Sequence, residues 1–198
     1  MLISQKDRQY LLRLARQTIA RTLRGEELPP VVLQNLSEDL SRPGASFVTL
    51  TIDGQLRGCI GSIEPRRPLA LDVRENAMGA AFRDPRFPPL TSEEFEQVEI
   101  EISVLTPPKP LDYSSLRDLL DSLRPHVDGV IIERGWQRAT YLPQVWEKVP
   151  DRERFLSSLC LKAGLPPDDY RRPGLQVYTY QVEKFSAEQG AEAPKRSE

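Results

Sequence analysis

Residues 49–61 read Thr-Leu-Thr-Ile-Asp-Gly-Gln-Leu-Arg-Gly-Cys-Ile-Gly. From Ser46 to Ile52 the chain alternates, with Phe47, Thr49 and Thr51 on one face and Val48, Leu50 and Ile52 on the other. That is the period of a strand. Asp53-Gly54 is a strong hairpin signal, because both central residues of a type I′ turn need positive φ. Residues 55–63 return as a second strand. The unit has an echo: shifted by 81 residues without gaps, residues 49–61 fall on residues 130–142 (VIIERGWQRATYL), Gly54 on Gly135 and Arg57 on Arg138. Each copy is followed later by a helix. Two identities in thirteen are a weak signal. Read physically, they predict two related hairpin-plus-helix units sharing one sheet.

Working outward, residues 4–24 read as a helix with Leu11, Ala15, Ile19 and Leu23 as its stripe and Ser4 as N-cap. Gly25 ends it, and Pro29-Pro30 prevents its restart. Residues 31–40 fit a short helix or an irregular loop. Pro68 suits the first turn of a second long helix, lined by Leu69, Val73, Ala77 and Ala80. Residues 83–90 cannot be regular, with three prolines in eight positions. The clearest strand is 97–105, where Val98, Ile100, Ile102 and Val104 alternate with polar residues. A helix over about 114–123 precedes the second hairpin. Asp151 caps another helix, whose stripe is Phe155, Leu156, Leu159, Cys160 and Ala163. Gly164 and Pro166-Pro167 stop that helix. Residues 175–185 read as a final strand and 186–198 as a frayed tail. The expected partition is one domain over 1–185, with subdomains over about 1–90 and 91–185 as the alternative.

The chain has 198 residues, 39% hydrophobic and 28% charged, with a formal charge of −2. This is enough to bury a core and too apolar for a disordered chain. No apolar run approaches the ~18 residues of a membrane span, and the N-terminus lacks a secretory core. Two cysteines 101 residues apart make no disulfide framework. The expected compartment is the cytoplasm, with thiols reduced. Near-neutral charge argues against general nucleic-acid binding. The six cations in the first 25 residues, set against Asp7 alone, read as a solvated helix face. One histidine and two cysteines cannot supply a nitrogen–sulfur zinc site without carboxylates. Dinucleotide, Walker, nucleophile-elbow and metalloprotease signatures are absent. The expectation is therefore no cofactor and no metal.

Chemistry concentrates in three segments. In Arg57-Gly58-Cys59-Ile60-Gly61, two glycines flank a thiol, and a glycine inside a strand needs a close backbone or ligand to explain it. Glycines also uncover amides that would receive negative charge, and Arg57 would favour a thiolate if it shared a face with Cys59. A bulge at Gly58 would break that relation. The bland reading is a small buried thiol. In residues 80–90 (AAFRDPRFPPL), Asp84 can bond backbone amides, while Arg83 and Arg86 offer forked donors. The segment is a ligand-facing loop, a braced corner, or both. In residues 135–146 (GWQRATYLPQVW), Arg138, Thr140 and Tyr141 carry polar ends, with Thr140 at the place of Cys59 in the repeat. Trp136 and Trp146 read as packing residues. Cys160 reads as core, His126 as a surface-loop residue and the Glu99/Glu101 pair as a solvated face.

Within these segments, residues 56–61 (LRGCIG), 82–90 (FRDPRFPPL) and 139–145 (ATYLPQV), in this order and spacing, resemble the hallmark stretches of the AMMECR-one domain family across residues of about 5–185. Residues 154–166 (RFLSSLCLKAGLP) resemble the subgroup called AmmeMemoRadiSam system protein A, whose members are typically encoded beside a Memo-like and a radical-SAM protein. The resemblance implies an α+β fold. It comprises two related repeats around a single barrel-like, mainly antiparallel sheet, with a cleft lined by the Arg-Gly-Cys-Ile-Gly strand. It carries no established activity across.

The leading expectation is a small-ligand cleft centred on Cys59, as nucleophile or covalent carrier if the protein is an enzyme. Arg57, Gly58, Ile60, Gly61, Asp84, Arg86, Arg138, Thr140 and Tyr141 would line it for a small polar or anionic ligand. The alternative is a non-enzymatic module docking a Memo-like or radical-SAM partner. A nucleic-acid-associated factor is the third.

Overall fold

The protein is described by a computed structural model over residues 3–187. In chain order the elements are α1 (Gln5–Leu23), α2 (Glu38–Ser41), β1 (Pro43–Ile52), β2 (Gln55–Gly61), β3 (Arg67–Pro68), α3 (Leu69–Phe82), α4 (Ser92–Phe95), β4 (Glu99–Leu105) and β5 (Lys109–Pro110). These are followed by α5 (Leu116–Ser122), β6 (Gly129–Arg134), β7 (Gln137–Tyr141), α6 (Arg152–Lys162), β8 (Gln176–Tyr180) and β9 (Val182–Ser186). They fall into two compact units. Among the described residues, one holds 3–104 and 183–187; the other is Leu105–Val182.

The first unit carries a sheet in the order β2-β1-β4-β9, with β3 paired to β1. Ser4 caps α1 by accepting the Asp7 amide at 3.1 Å. Leu11, Ala15 and Ile19 are fully buried, one stripe at helical spacing. They join Val48, Leu50, Ile100 and Ile102 in one core. Gly25 ends α1 at φ +66°. Asp53 and Gly54 make the β1–β2 turn at φ +51° and +73°. The alanines of α3 let it lie directly on the hairpin. A Cβ on Gly58 would sit 2.1 Å from the Ala80 carbonyl oxygen, and one on Gly79 would sit 2.8 Å from Ile60 Cγ2. A polar staple adds to this packing. Oδ2 of the buried Asp72 accepts the Ser46 amide (2.9 Å), the hydroxyls of Ser46 (2.7 Å) and Ser62 (2.6 Å), and the Asn76 side-chain amide (2.9 Å). It fixes the first turns of α3 to β1 and to the exit of β2.

The second unit carries an antiparallel sheet in the order β5-β8-β6-β7. Leu119, Val130, Ile132, Phe155, Leu156, Leu159 and Cys160 build its core. Trp146 stacks on Phe155 with centroids 3.6 Å apart, and its Nε1 donates to the Asp128 carbonyl at 2.8 Å. A buried indole needs such a partner. Asp151 caps α6 by accepting the Arg154 amide at 2.8 Å.

Four expectations are corrected. The architecture is α+β with antiparallel pairing, but the strands form two sheets, not a single barrel-like one. Each hairpin has its own covering helices and its own core, so neither sheet needs the other for closure. The final strand expected over 175–185 is two strands broken at Gln181, because β8 belongs to one sheet and β9 to the other. The break is held by reciprocal bonds: the Thr106 amide donates to the Gln181 carbonyl at 2.9 Å, and the Gln181 amide to Thr106 Oγ1 at 2.8 Å. Trp136 is not a packing residue. It is 90% exposed beside the Gly135 turn. The tail expected over 186–198 begins inside β9 and from residue 188 lies outside the described residues. Among the described residues, no helix is long and apolar enough to cross a membrane.

Candidate functional site

Strand β2 carries a bulge. Gly58 pairs with Leu50 and Leu56 with Thr51, leaving Arg57 as the extra residue. The bulge breaks the pleat, and the Arg57 side chain is drawn to Glu94. Nε donates to Glu94 Oε1 at 2.8 Å, and Nη2 to Oε2 and to the Pro88 carbonyl, each at 2.9 Å. Arg57 is only 8% exposed. Its Nη1 is buried with no partner among the described residues, a cost of about 1–3 kcal/mol that the forked pair must offset. The expected use of Arg57 as the cation beside the thiol is therefore replaced by a structural one.

The cation that does reach Cys59 is Arg86. Its Nη2 donates to the Cys59 carbonyl at 3.2 Å and to Asp84 Oδ2 at 2.6 Å, and its Nε donates to Oδ1 at 2.9 Å. Asp84 is buried, and its Oδ2 also accepts the Cys59 amide at 2.9 Å. The Arg86 guanidinium, aided by that amide, holds the Asp84 carboxyl far below the usual range. The Arg57 guanidinium likewise lowers Glu94 to about 2. Cys59 is half-buried, and Thr49 Oγ1 donates to its sulfur at 3.3 Å. The expected free amide at Cys59 is thus already occupied, by a carboxylate of the same chain. Gly58 is required by the Ala80 carbonyl, and Gly61 by the Phe47 ring, which a Cβ would approach to 2.2 Å. Ile60 is half-buried against Gly79.

Arg57, Gly58, Cys59, Ile60, Gly61, Asp84 and Arg86 are thus gathered at one corner of the first unit. Arg138, Thr140 and Tyr141 belong to the second. There the repeat is out of register by one residue: Cys59 opposes Thr49, while Thr140 opposes Ile131, the counterpart of Leu50. Thr140 is buried, donating to the Val130 carbonyl at 2.9 Å, with the Tyr180 hydroxyl at 3.1 Å. Tyr141 meets Phe155 edge-on at 5.3 Å. Arg138 lies 3.7 Å from Glu133. His126 is exposed in the second unit, at φ +65°. Cys160 is fully buried, and burial pushes its thiol up. Glu101 pairs with Lys184 at 3.7 Å. Among the described residues, no group of three or more histidine, cysteine or carboxylate side chains is placed to hold a metal. Sequence reasoning missed Glu94, although Thr91-x-x-Glu94 is a capping-box pattern and both of its bonds form. It also missed the Asp72 staple, which no motif announces.

The AMMECR1 family model matches residues 12–185, a span holding both hairpins and all three hallmark segments. The chain belongs to the AMMECR1 family. A relative from Methanothermobacter thermautotrophicus is 44% identical over 191 residues, 92% of this chain and 95% of the relative. One from Thermotoga maritima is 39% identical over 155 residues, 77% of this chain and 83% of the relative. The crystal structure of an uncharacterized protein from Pyrococcus horikoshii aligns at a TM-score of 0.72 and 36% identity, covering 90% of each chain. The AMMECR1 assignment thus extends over nearly the whole chain, including the β2 corner and the second hairpin.

Proposed function

We propose that the β2 corner is a recognition surface for an anionic group, used as a docking module toward a Memo-like or radical-SAM protein in the cytoplasm. The observation that carries this reading is the closed set of bonds Arg86–Asp84–Cys59. A nucleophilic thiol needs a base or a stabilised charge beside it. Here the carboxylate is consumed by Arg86 and by the Cys59 amide, and that amide is lost to any oxyanion. What stays available is the Arg86 side chain, 53% exposed, with the half-buried Phe87 ring 5.5 Å from its guanidinium. A forked cation held in place by a buried carboxylate is preorganised to receive a carboxylate or phosphate.

The half-exposed thiol favours a second reading: a small polar or anionic ligand seated at Cys59, with the same Arg86 as donor. Titrating purified Memo-like and radical-SAM proteins of the same organism into this chain, and separately phosphate and citrate, tells the two apart. Docking predicts partner binding that Arg86→Ala weakens about tenfold and Cys59→Ser leaves unchanged, with no response to the small anions alone. Binding of a small anion by the isolated chain, lost in Cys59→Ser, would establish the ligand reading instead. Partner binding indifferent to Arg86→Ala would exclude this corner.

A further inference from the structure

The second unit contains a cleft of about 700 Å³ between the segment following β5 and the segment leading into β8. It presents two half-buried tyrosines (Tyr113 and Tyr178) and two prolines (Pro110 and Pro173), together with Asp112, with the buried Tyr170 also in its lining. Both walls are tied down. Arg134, paired with Asp169 at 2.5 Å, donates Nη1 to the Pro173 carbonyl at 3.1 Å and Nη2 to the Arg172 carbonyl at 3.5 Å. Across the cleft, the Tyr113 hydroxyl donates to the Leu175 carbonyl at 2.6 Å. A cleft fixed before the ligand arrives spares the ordering cost of binding.

A second hollow of about 570 Å³ lies against α6, lined in part by Val149, Pro150 and Leu161. Tyr170 lines both. Arg171, which lines the first hollow, is paired at 2.7 Å with Glu153, which lines the second. An occupant that uses both must be extended, which favours a chain over a compact small molecule.

The lining suits one kind of chain. Aromatic and prolyl ridges form slots for pyrrolidine rings, and a polyproline II backbone leaves its carbonyls unpaired and in need of donors. The Tyr178 hydroxyl, now donating to Gln176 Oε1 at 3.0 Å, and the Gln176 amide can serve there. Charge sets the orientation. Of the two cations in the lining, Arg171 is engaged by Glu153 and by the Tyr170 hydroxyl at 3.0 Å, and Arg172 is paired with Asp168 at 3.4 Å, whereas Asp112 is exposed and in no ion pair among the described residues. We propose that this cleft binds a proline-rich segment of a partner protein in polyproline II conformation, with a basic residue of that segment facing Asp112.

The test is fluorescence anisotropy of the full chain with labelled, capped peptides: Ala-Pro-Leu-Pro-Pro-Leu-Pro-Arg, the same peptide ending in Glu, and a Gly-Ser peptide of equal length. The Arg peptide should saturate, the Glu peptide should bind about fivefold more weakly, and the Gly-Ser peptide should not bind. Tyr178→Ala should weaken the Arg peptide about tenfold. Asp112→Asn, at an exposed position that leaves the fold intact, should erase the Arg-over-Glu preference. Arg86→Ala, in the other unit, should change nothing here. Absence of saturable binding by either proline peptide, equal binding of the Gly-Ser peptide, or a preference indifferent to Asp112→Asn would overturn the proposal.

Discussion

Asp84 Oδ2 accepts the backbone amide of Cys59 at 2.9 Å. One carboxylate therefore closes the bulged strand onto the 83–90 segment and holds the guanidinium of Arg86 in place. Asp84→Ala leaves a buried amide without an acceptor and should cost about 1–3 kcal/mol. Urea unfolding reads the loss, and alkylation of Cys59 should quicken as the segment loosens. Unchanged stability would mean that water replaces the carboxylate at no cost.

The Arg57–Glu94 pair makes stability depend on acid. Glu94 falls from its ordinary 4.5 to about 2 in the folded protein. The contribution is complete above 4.5 and is lost as pH falls toward 2. Asp84 acts with the same sign. Glu94→Gln should lower stability at neutral pH and flatten its decline below pH 4.5. Denaturation midpoints at several pH values check the slope.

Gly58 and Gly54 should respond differently to alanine. A Cβ at Gly58 meets the Ala80 carbonyl oxygen at 2.1 Å, and neither backbone can yield easily. The expected cost is about 3 kcal/mol or more. At Gly54 nothing lies within 4 Å, and only φ +73° opposes the change, for about 1–2 kcal/mol. Thermal unfolding of the two variants should rank them in that order.

The two thiols should separate in reactivity. Cys160 is fully buried and burial raises its pKa, whereas Cys59 is half-exposed. Alkylation of the folded protein should modify one cysteine, and Cys59→Ser should abolish that reaction. Cys160 should react only after denaturant is added. Mass spectrometry of the labelled peptides decides it.

The two tryptophans should report opposite environments. Trp136 is 90% exposed and Trp146 fully buried on Phe155. Trp136→Phe should remove the iodide-quenchable part of the emission at little cost in stability. Trp146→Ala should destabilise by about 3–5 kcal/mol.

Much of the fold was legible in short stretches. Ser4, Asp53-Gly54 and Asp151 announced a cap, a turn and a cap, and each forms as expected. The stripe Leu11, Ala15, Ile19 and the alternation Val98, Ile100, Ile102, Val104 both lie in one core. The site was legible only as a set of segments. Nothing adjacent to Arg57 announces Glu94, which lies 37 residues away and reaches it through α4. Nor does the local pattern of residues 175–185 show that Gln181 divides two sheets. Val177 and Phe185 are buried alike, in different cores.

By itself, then, the sequence determined the two hairpins and the helices α1, α3, α5 and α6. These rest on periods, caps and positive-φ turns that involve neighbours a few residues apart. Tertiary structure decided which sheet each strand joined, which cation met the thiol, and why the glycines are glycines. Those outcomes depend on register and close approach between distant segments. A single extra residue at Arg57 turns a side chain away from Cys59, and a backbone 2.1 Å from an imagined methyl group becomes visible only once α3 is laid on β2.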